Sequence, residues 1–351
     1  VCEDEVFTLS QSSAENYESL LWTSSGSGTF SNTGILHPAY TPGSADIAAG
    51  WVTLTLHAYG LPGCDDEIIS MTLTIYQKPV AFAGEDAVIC QGGSYTITDS
   101  YAENHEGVLW TSNGPGSLTG ATTLHPVYIP LPGETGTVMI TMLVYAEYGI
   151  CPDITDQMVL TITPVATVNA GPDDQQCGTS PYTLDGSSAI NAVSVLWTTS
   201  GTGTFNNPAM LHATYTPSSQ DAMNTSVILT LTATAGSPCP AVSDQMVLTL
   251  ATPATVDAGD DGLICEGSQF TVATASAGNY SSLTWTTNDG MGTILNPQTL
   301  TPTYVPYPGE TGTIHLRLTA DGFDPCPDVV DEMTLTFIAG PSVEAGENVT
   351  L

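Results

Sequence analysis

Apolar and polar residues alternate with period two along eight segments of the chain. VTLTLHA (52–58), TVMITMLVYA (137–146), VILTLTATA (227–235) and TIHLRLTA (313–320) form one set. MTLTIY (71–76), MVLTIT (158–163), MVLTLA (246–251) and MTLTFI (333–338) form the other. Val52, Leu54 and Leu56 face one way, and Thr53, Thr55 and His57 the other. Such alternation predicts half-buried antiparallel strands with the apolar face inward. Gly- and Pro-rich turns separate the runs, and no segment carries a helical period. Roughly seven short strands in each stretch of about 88 residues predict an all-β chain of immunoglobulin-like sandwiches.

The pattern recurs with fixed markers. Eight cysteines fall into the pairs Cys2/Cys64, Cys90/Cys151, Cys177/Cys239 and Cys265/Cys326, at separations of 62, 61, 62 and 61. Each first cysteine precedes a tryptophan by 20 residues: Trp22, Trp110, Trp197 and Trp285. Tyr40, Tyr128, Tyr215 and Tyr304 follow in step, then Met71, Met158, Met246 and Met333. The period is 87 to 88 residues. It divides the chain into repeats at 1–78, 79–165, 166–253 and 254–340, with 341–351 as the first strand of a following repeat or a donor strand. Repeat 1 lacks that strand. One cysteine pair per repeat predicts one disulfide within each domain, stapling loops at one end of the sandwich. No close C-x-x-C pair is present for zinc. The tryptophans sit on the strands LLWTS, VLWTS, VLWTT and LTWTT, which place the indoles in the cores.

The patterns W-T-[ST]-x-G-x-G-[TS], L-[HT]-P-x-Y-x-P, C-P…M-x-L-T-I and A-G-x-[DN] together resemble the PKD-like, immunoglobulin-like tandem repeats of large secreted surface adhesins of Bacteroidota, cargo of the type IX system. The resemblance covers essentially the whole chain. It implies an extracellular or cell-surface address and tandem domains without catalysis, and it names no ligand.

Charge narrows the function classes. Thirty-six acidic residues face only Lys78 and Arg317, for a net charge of −34. That field excludes nucleic-acid binding and attraction to anionic lipid. No run of 18 apolar residues is present, so membrane insertion is not expected. Disulfides imply an oxidising compartment. The acids at the Ala-Gly joints (Glu85, Asp86, Asp173, Asp174, Asp260, Asp261) and near the second cysteines (Asp65, Asp66, Asp153, Asp156, Asp328, Asp331) make calcium the candidate cation. Plain solvated acidic loops are the alternative reading, and the spacing, which is not that of an EF-hand loop, favours them. No other cofactor is expected. His37, His125 and His212 serve one repeat position, where repeat 4 has Thr301, and read as structural. No catalytic constellation is present, so no enzyme is expected.

Two organisational features remain. The joints, such as PVATVNAGPDD (164–174), are rich in Val, Thr and Pro, which predicts a stiff rod rather than a flexible tether. Repeats 2 and 4 share YIPLPGETGT (128–137) and YVPYPGETGT (304–313), whereas repeats 1 and 3 carry YTPGSADIAAG and YTPSSQDAMNT. The sequence thus predicts a non-catalytic structural segment of an extracellular filament, stalk or giant adhesin, partnered head to tail by copies of itself or by adjacent repeats. One alternative is a subunit assembled by strand donation through Val343, Ala345, Val349 and Leu351. The other is an adhesin that binds a glycan or protein through the Gly-rich loops at 26–28, 114–116, 201–203 and 290–292.

Overall fold

The computed structural model describes residues 1–346. The chain is all-β, a tandem array of immunoglobulin-like sandwiches, apart from three short helical turns among the described residues. It divides into two compact units: Val1–Val165 with Gly236–Pro240, and Ala166–Ala235 with Ala241–Leu351. No helix among the described residues is long and apolar enough to cross a membrane.

Repeat 2 shows the plan. Its larger sheet runs His105–Ser112, Gly136–Ala146, Ile154–Thr163 and Ala87–Cys90 in spatial order. The first two pairings are antiparallel and the last is parallel. The facing sheet is Ser117–Thr119, Val127–Ile129 and Tyr95–Thr96. A two-stranded ribbon, Val80–Phe82 with Tyr101–Glu103, closes one side. Repeats 3 and 4 repeat all three parts.

Period-two alternation places the core. Val138, Ile140, Met142 and Val144 on one long strand are at most 3% exposed. They pack against Trp110, Tyr128, Met158, Leu160 and Ile162. Each repeat has its own core of this kind, built on Trp22, Trp110, Trp197 or Trp285. The indole N–H of Trp110, Trp197 and Trp285 donates to a loop carbonyl at 2.9–3.0 Å, from Thr123, Leu211 and Thr299.

Repeat 1 departs from the plan. Its larger sheet has three strands, Tyr17–Ser24, Trp51–Gly60 and Glu67–Thr74. The parallel fourth strand is reduced to a bridge between Cys2 and Tyr76. No closing ribbon is formed among the described residues. The segment 341–346 forms no strand, and Val343 and Ala345 are exposed. Val349 and Leu351 lie outside the described residues.

Candidate functional site

The disulfides correct the expectation of one bridge within each domain. Cys2 bonds Cys151, Cys90 bonds Cys239, and Cys177 bonds Cys326. Each bridge joins the first cysteine of one repeat to the second cysteine of the next, always 149 residues on. Cys64 and Cys265 are free and exposed. The reason is geometric. Cys90 lies opposite Thr163 in the parallel pairing, at the exit end of the last strand. Cys151 lies just before Ile154, at that strand's entrance. Ten residues of strand hold the two cysteines of a repeat about 30 Å apart, whereas a disulfide needs Cα atoms within about 7 Å. At the joint the distance is met, with Cα–Cα of 4.8–5.0 Å.

A second recurring constellation was not foreseen from sequence. In every repeat a buried tyrosine donates its hydroxyl to a carboxylate six residues on: Tyr40 to Asp46, Tyr128 to Glu134, Tyr215 to Asp221 and Tyr304 to Glu310. The O–O distances are 2.7–2.8 Å. In repeats 1 and 3 the acid sits on a short helix, Ser44–Ala49 or Ser219–Asn224. Ser218 caps the second helix by accepting the Asp221 N–H at 3.1 Å. In repeats 2 and 4 the acid follows a Pro-Gly turn instead, with Gly133 and Gly309 at φ 88° and 85°, as the third position of a type II turn requires. The odd–even alternation of sequence is therefore two ways of delivering one carboxylate.

In repeats 1, 3 and 4 that carboxylate holds the Gly-rich loop, while in repeat 2 the Tyr128 hydroxyl accepts the Gly116 N–H at 3.0 Å. Asp221 accepts the N–H groups of Thr202, Gly203 and Ser218 at 2.8–2.9 Å. Asp46 accepts those of Ser27, Gly28 and Gly43 at 2.7–3.0 Å. A Cβ at Gly28, Gly116, Gly203 or Gly292 would sit within 2.6 Å of a backbone carbonyl or the tyrosine hydroxyl. The glycines thus serve close approach within the fold, which accounts for them without an external ligand. Burial works against charge on Asp221. The N–H groups of Thr202 and Ser218, the Tyr215 hydroxyl and the Gly203 N–H more than offset it, and its pKa falls to about 2. Burial and the adjacent carboxylate push Tyr128 and Tyr304 up to about 12.

Among the described residues, the acidic joints bring together no group of three or more His, Cys, Asp or Glu side chains suited to a metal. The carboxylates accept backbone N–H groups instead. Asp86 accepts from Val159 at 2.7 Å, and Asp156 accepts from Ala83 at 2.8 Å, so entry segment and last strand clasp each other in both directions. The same clasp recurs as Asp173 with Val247 and Asp244 with Ala170, then as Asp261 with Thr334 and Asp331 with Ala258. Asp153 accepts from Ala146, Asp328 from Gly322, and Asp66 from Gly60 and His57. Asp174 accepts from Gln175 and the Tyr182 hydroxyl, while Asp65, Glu85 and Asp260 are exposed in the same loops. Excess chelator is therefore expected to leave the thermal transition unchanged. A melting temperature lowered by chelator and restored by calcium would reverse this assignment.

No protein-family model matches the chain, and no curated protein does. Among solved structures, it is similar to a three-domain immunoglobulin fragment from the I-band of titin. The identity is 11% over 74% of this chain and 99% of the other, with a TM-score of 0.44. Sidekick-1 immunoglobulin domains 1–5 match at 12% identity over 97% of this chain and 78% of that one, with a TM-score of 0.36. A three-domain cadherin fragment of human CDH23 matches at 11% identity over 74% and 100%, with a TM-score of 0.39.

Proposed function

We propose that this chain is a non-catalytic structural segment of an extracellular filament, stalk or large adhesin. In this reading its four domains divide at 1–78, 79–165, 166–253 and 254–340. The disulfide register carries the proposal: three bridges in the same register tie each repeat to the next and none closes a repeat on itself. A bridge placed that way links one repeat covalently to the next, which serves a chain under load and does nothing for a catalytic site within one domain. Disulfides of this number belong to an oxidising, extracytoplasmic compartment. The Gly-rich loops, clamped within the fold by the tyrosine–carboxylate pairs, favour this over binding of a glycan or protein through those loops. The sequence likeness to PKD-like repeats of Bacteroidota surface adhesins agrees with it. The test is immunogold labelling of intact source cells with antibody against the chain. Label on fibres or the outer surface is the expected result, and label confined to the cytoplasm overturns the reading.

A further inference from the structure

Charge is unevenly placed on this chain. The larger sheet of each repeat buries one face in the core and turns the other outward. In repeat 2 the outward positions include the row Thr111, Thr141 and Gln157 and, two residues along, Met139 paired with Val159. Repeat 3 presents the row Thr198, Thr230 and Gln245, then Ile228 paired with Val247. No outward paired position on the larger sheets of repeats 2 and 3 holds Asp, Glu, Lys or Arg, in a chain with 36 acids. The acids at paired positions of these strands turn to the other side. Asp156 and Asp244 clasp Ala83 and Ala170, and Asp174 takes the Tyr182 hydroxyl. Glu106 stands at a bulge, outside the pairing.

The face is built to be covered. Met139, Ile228 and Val247 are 37–41% exposed on it. Part of its polar surface is satisfied within the face, since Gln157 donates to the Thr141 hydroxyl at 3.2 Å, which lowers the cost of removing water. Repeats 2 and 3 fall in opposite classes of the odd–even alternation, yet both carry the Thr-Thr-Gln row. In repeat 4 the same row reads Thr286, Arg317 and Glu332.

We propose that the outward faces of the larger sheets in repeats 2 and 3 are docking surfaces for the same faces of a second copy of this chain. Shape selects that occupant. A β-sheet twists by roughly 20–25° per strand, so it cannot lie flush on a flat crystalline polymer, but it fits another sheet of the same hand at about 10 Å. Area agrees. Four strands about 4.8 Å apart and ten residues long cover about 600 Å², so two faces bury about 1,200 Å², the lower end of stable interfaces. Charge agrees too. Two copies at −34 each repel one another, and this face lets them meet without setting carboxylate against carboxylate.

The proposal goes beyond the structural reading and is tested in solution on the oxidised full chain, with Cys64 and Cys265 blocked by alkylation. Sedimentation equilibrium at about 100 µM chain should show reversible association from 36.4 kDa to twice that mass. Association should tighten from about 0.01 M to about 0.15 M salt, as the screening length falls from about 30 Å to about 8 Å. Thr141→Asp with Thr230→Asp should weaken it by about tenfold or more. Thr141→Arg with Thr230→Arg should weaken it as much, although it lowers the net negative charge. Ser117→Asp, an exposed position on the facing sheet, should leave it unchanged. A chain that stays single at every salt concentration overturns the proposal. So does association that the Arg pair strengthens, or that Ser117→Asp weakens equally. A single chain that instead pellets with microcrystalline cellulose, and loses this in the Asp pair, replaces the second copy as occupant. Each of these failures leaves the structural reading standing, because surface labelling decides that reading.

Discussion

Replacing Asp221 by alanine will destabilise repeat 3 by about 3–5 kcal/mol, the range for removing one partner of a buried charged network. Asp221 is fully buried. Its loss leaves the N–H groups of Thr202, Gly203 and Ser218 and the hydroxyl of Tyr215 without their acceptor, and each unsatisfied buried donor costs about 1–3 kcal/mol before relaxation. The helix Ser219–Asn224 also loses the acidic half of its capping box. Asn at this position keeps an acceptor oxygen but not the charge, so Asp221→Asn should cost about half as much. Hydrogen exchange reports the change locally, with protection lost first across 199–205 and 215–221. Unchanged protection there would mean that the carboxylate does not hold the loop.

The same residue has a pH signature. The folded pKa of Asp221 is about 2 against an ordinary value of 3.8. A depressed carboxylate stabilises the fold above its unfolded pKa and loses that contribution as pH falls through the folded value. The lost stability amounts to about 2 kcal/mol between pH 4 and pH 2. The acid limb of the stability profile should therefore be shallower in Asp221→Ala than in the parent. Tyr128 and Tyr304, raised to about 12, act at the other extreme. Their contribution is whole below pH 10 and fades as pH rises toward 12.

The strands were legible because alternation is local: Val52-Thr53-Leu54-Thr55-Leu56 states both its period and its inward face. The tryptophans were legible because one spacing recurs in all four repeats. The disulfide partners were not, although the spacing of the cysteines was. Pairing within a repeat is the shorter connection in sequence. It fails because Ala87–Cys90 runs parallel to Ile154–Thr163, which sends the two cysteines to opposite ends of a ten-residue strand. The tyrosine–carboxylate clamp had a signal in plain view, an acid six residues after each of Tyr40, Tyr128, Tyr215 and Tyr304. It was masked because two repeats supply Asp from a helix and two supply Glu from a turn. The joint acids left calcium and solvated loops both open, because sequence gives their number and not their direction. In space Asp86 and Asp156 each turn to a backbone N–H of the other segment.

Pulling the oxidised chain by its ends will stop it at about 180 Å. The bridges Cys2–Cys151 and Cys177–Cys326 short-circuit the backbone. The shortest covalent path then runs through Cys2, Cys151–Cys177 and Cys326 to the end, roughly 50 residues at about 3.5 Å each. The reduced chain of 351 residues extends to about 1,200 Å on the same scale. Pairing within each repeat would leave about 100 residues in the path and an end point near 360 Å, so one force–extension trace separates the two connectivities. Variants sharpen the test. Cys90→Ser removes a bridge that is not on the shortest path and should leave the end point unchanged. Cys326→Ser should move it to about 600 Å, because the path must then return through Cys90–Cys239. Each bridge closes 149 residues, worth about 5 kcal/mol in the chain-entropy model, and the interleaving of the three loops makes the total less than their sum. Reduction should therefore lower the force at which the repeats open as well as lengthen the trace. An oxidised chain that runs out to the full 1,200 Å or so would mean that no such ladder forms, and the mechanical argument for this chain would end there.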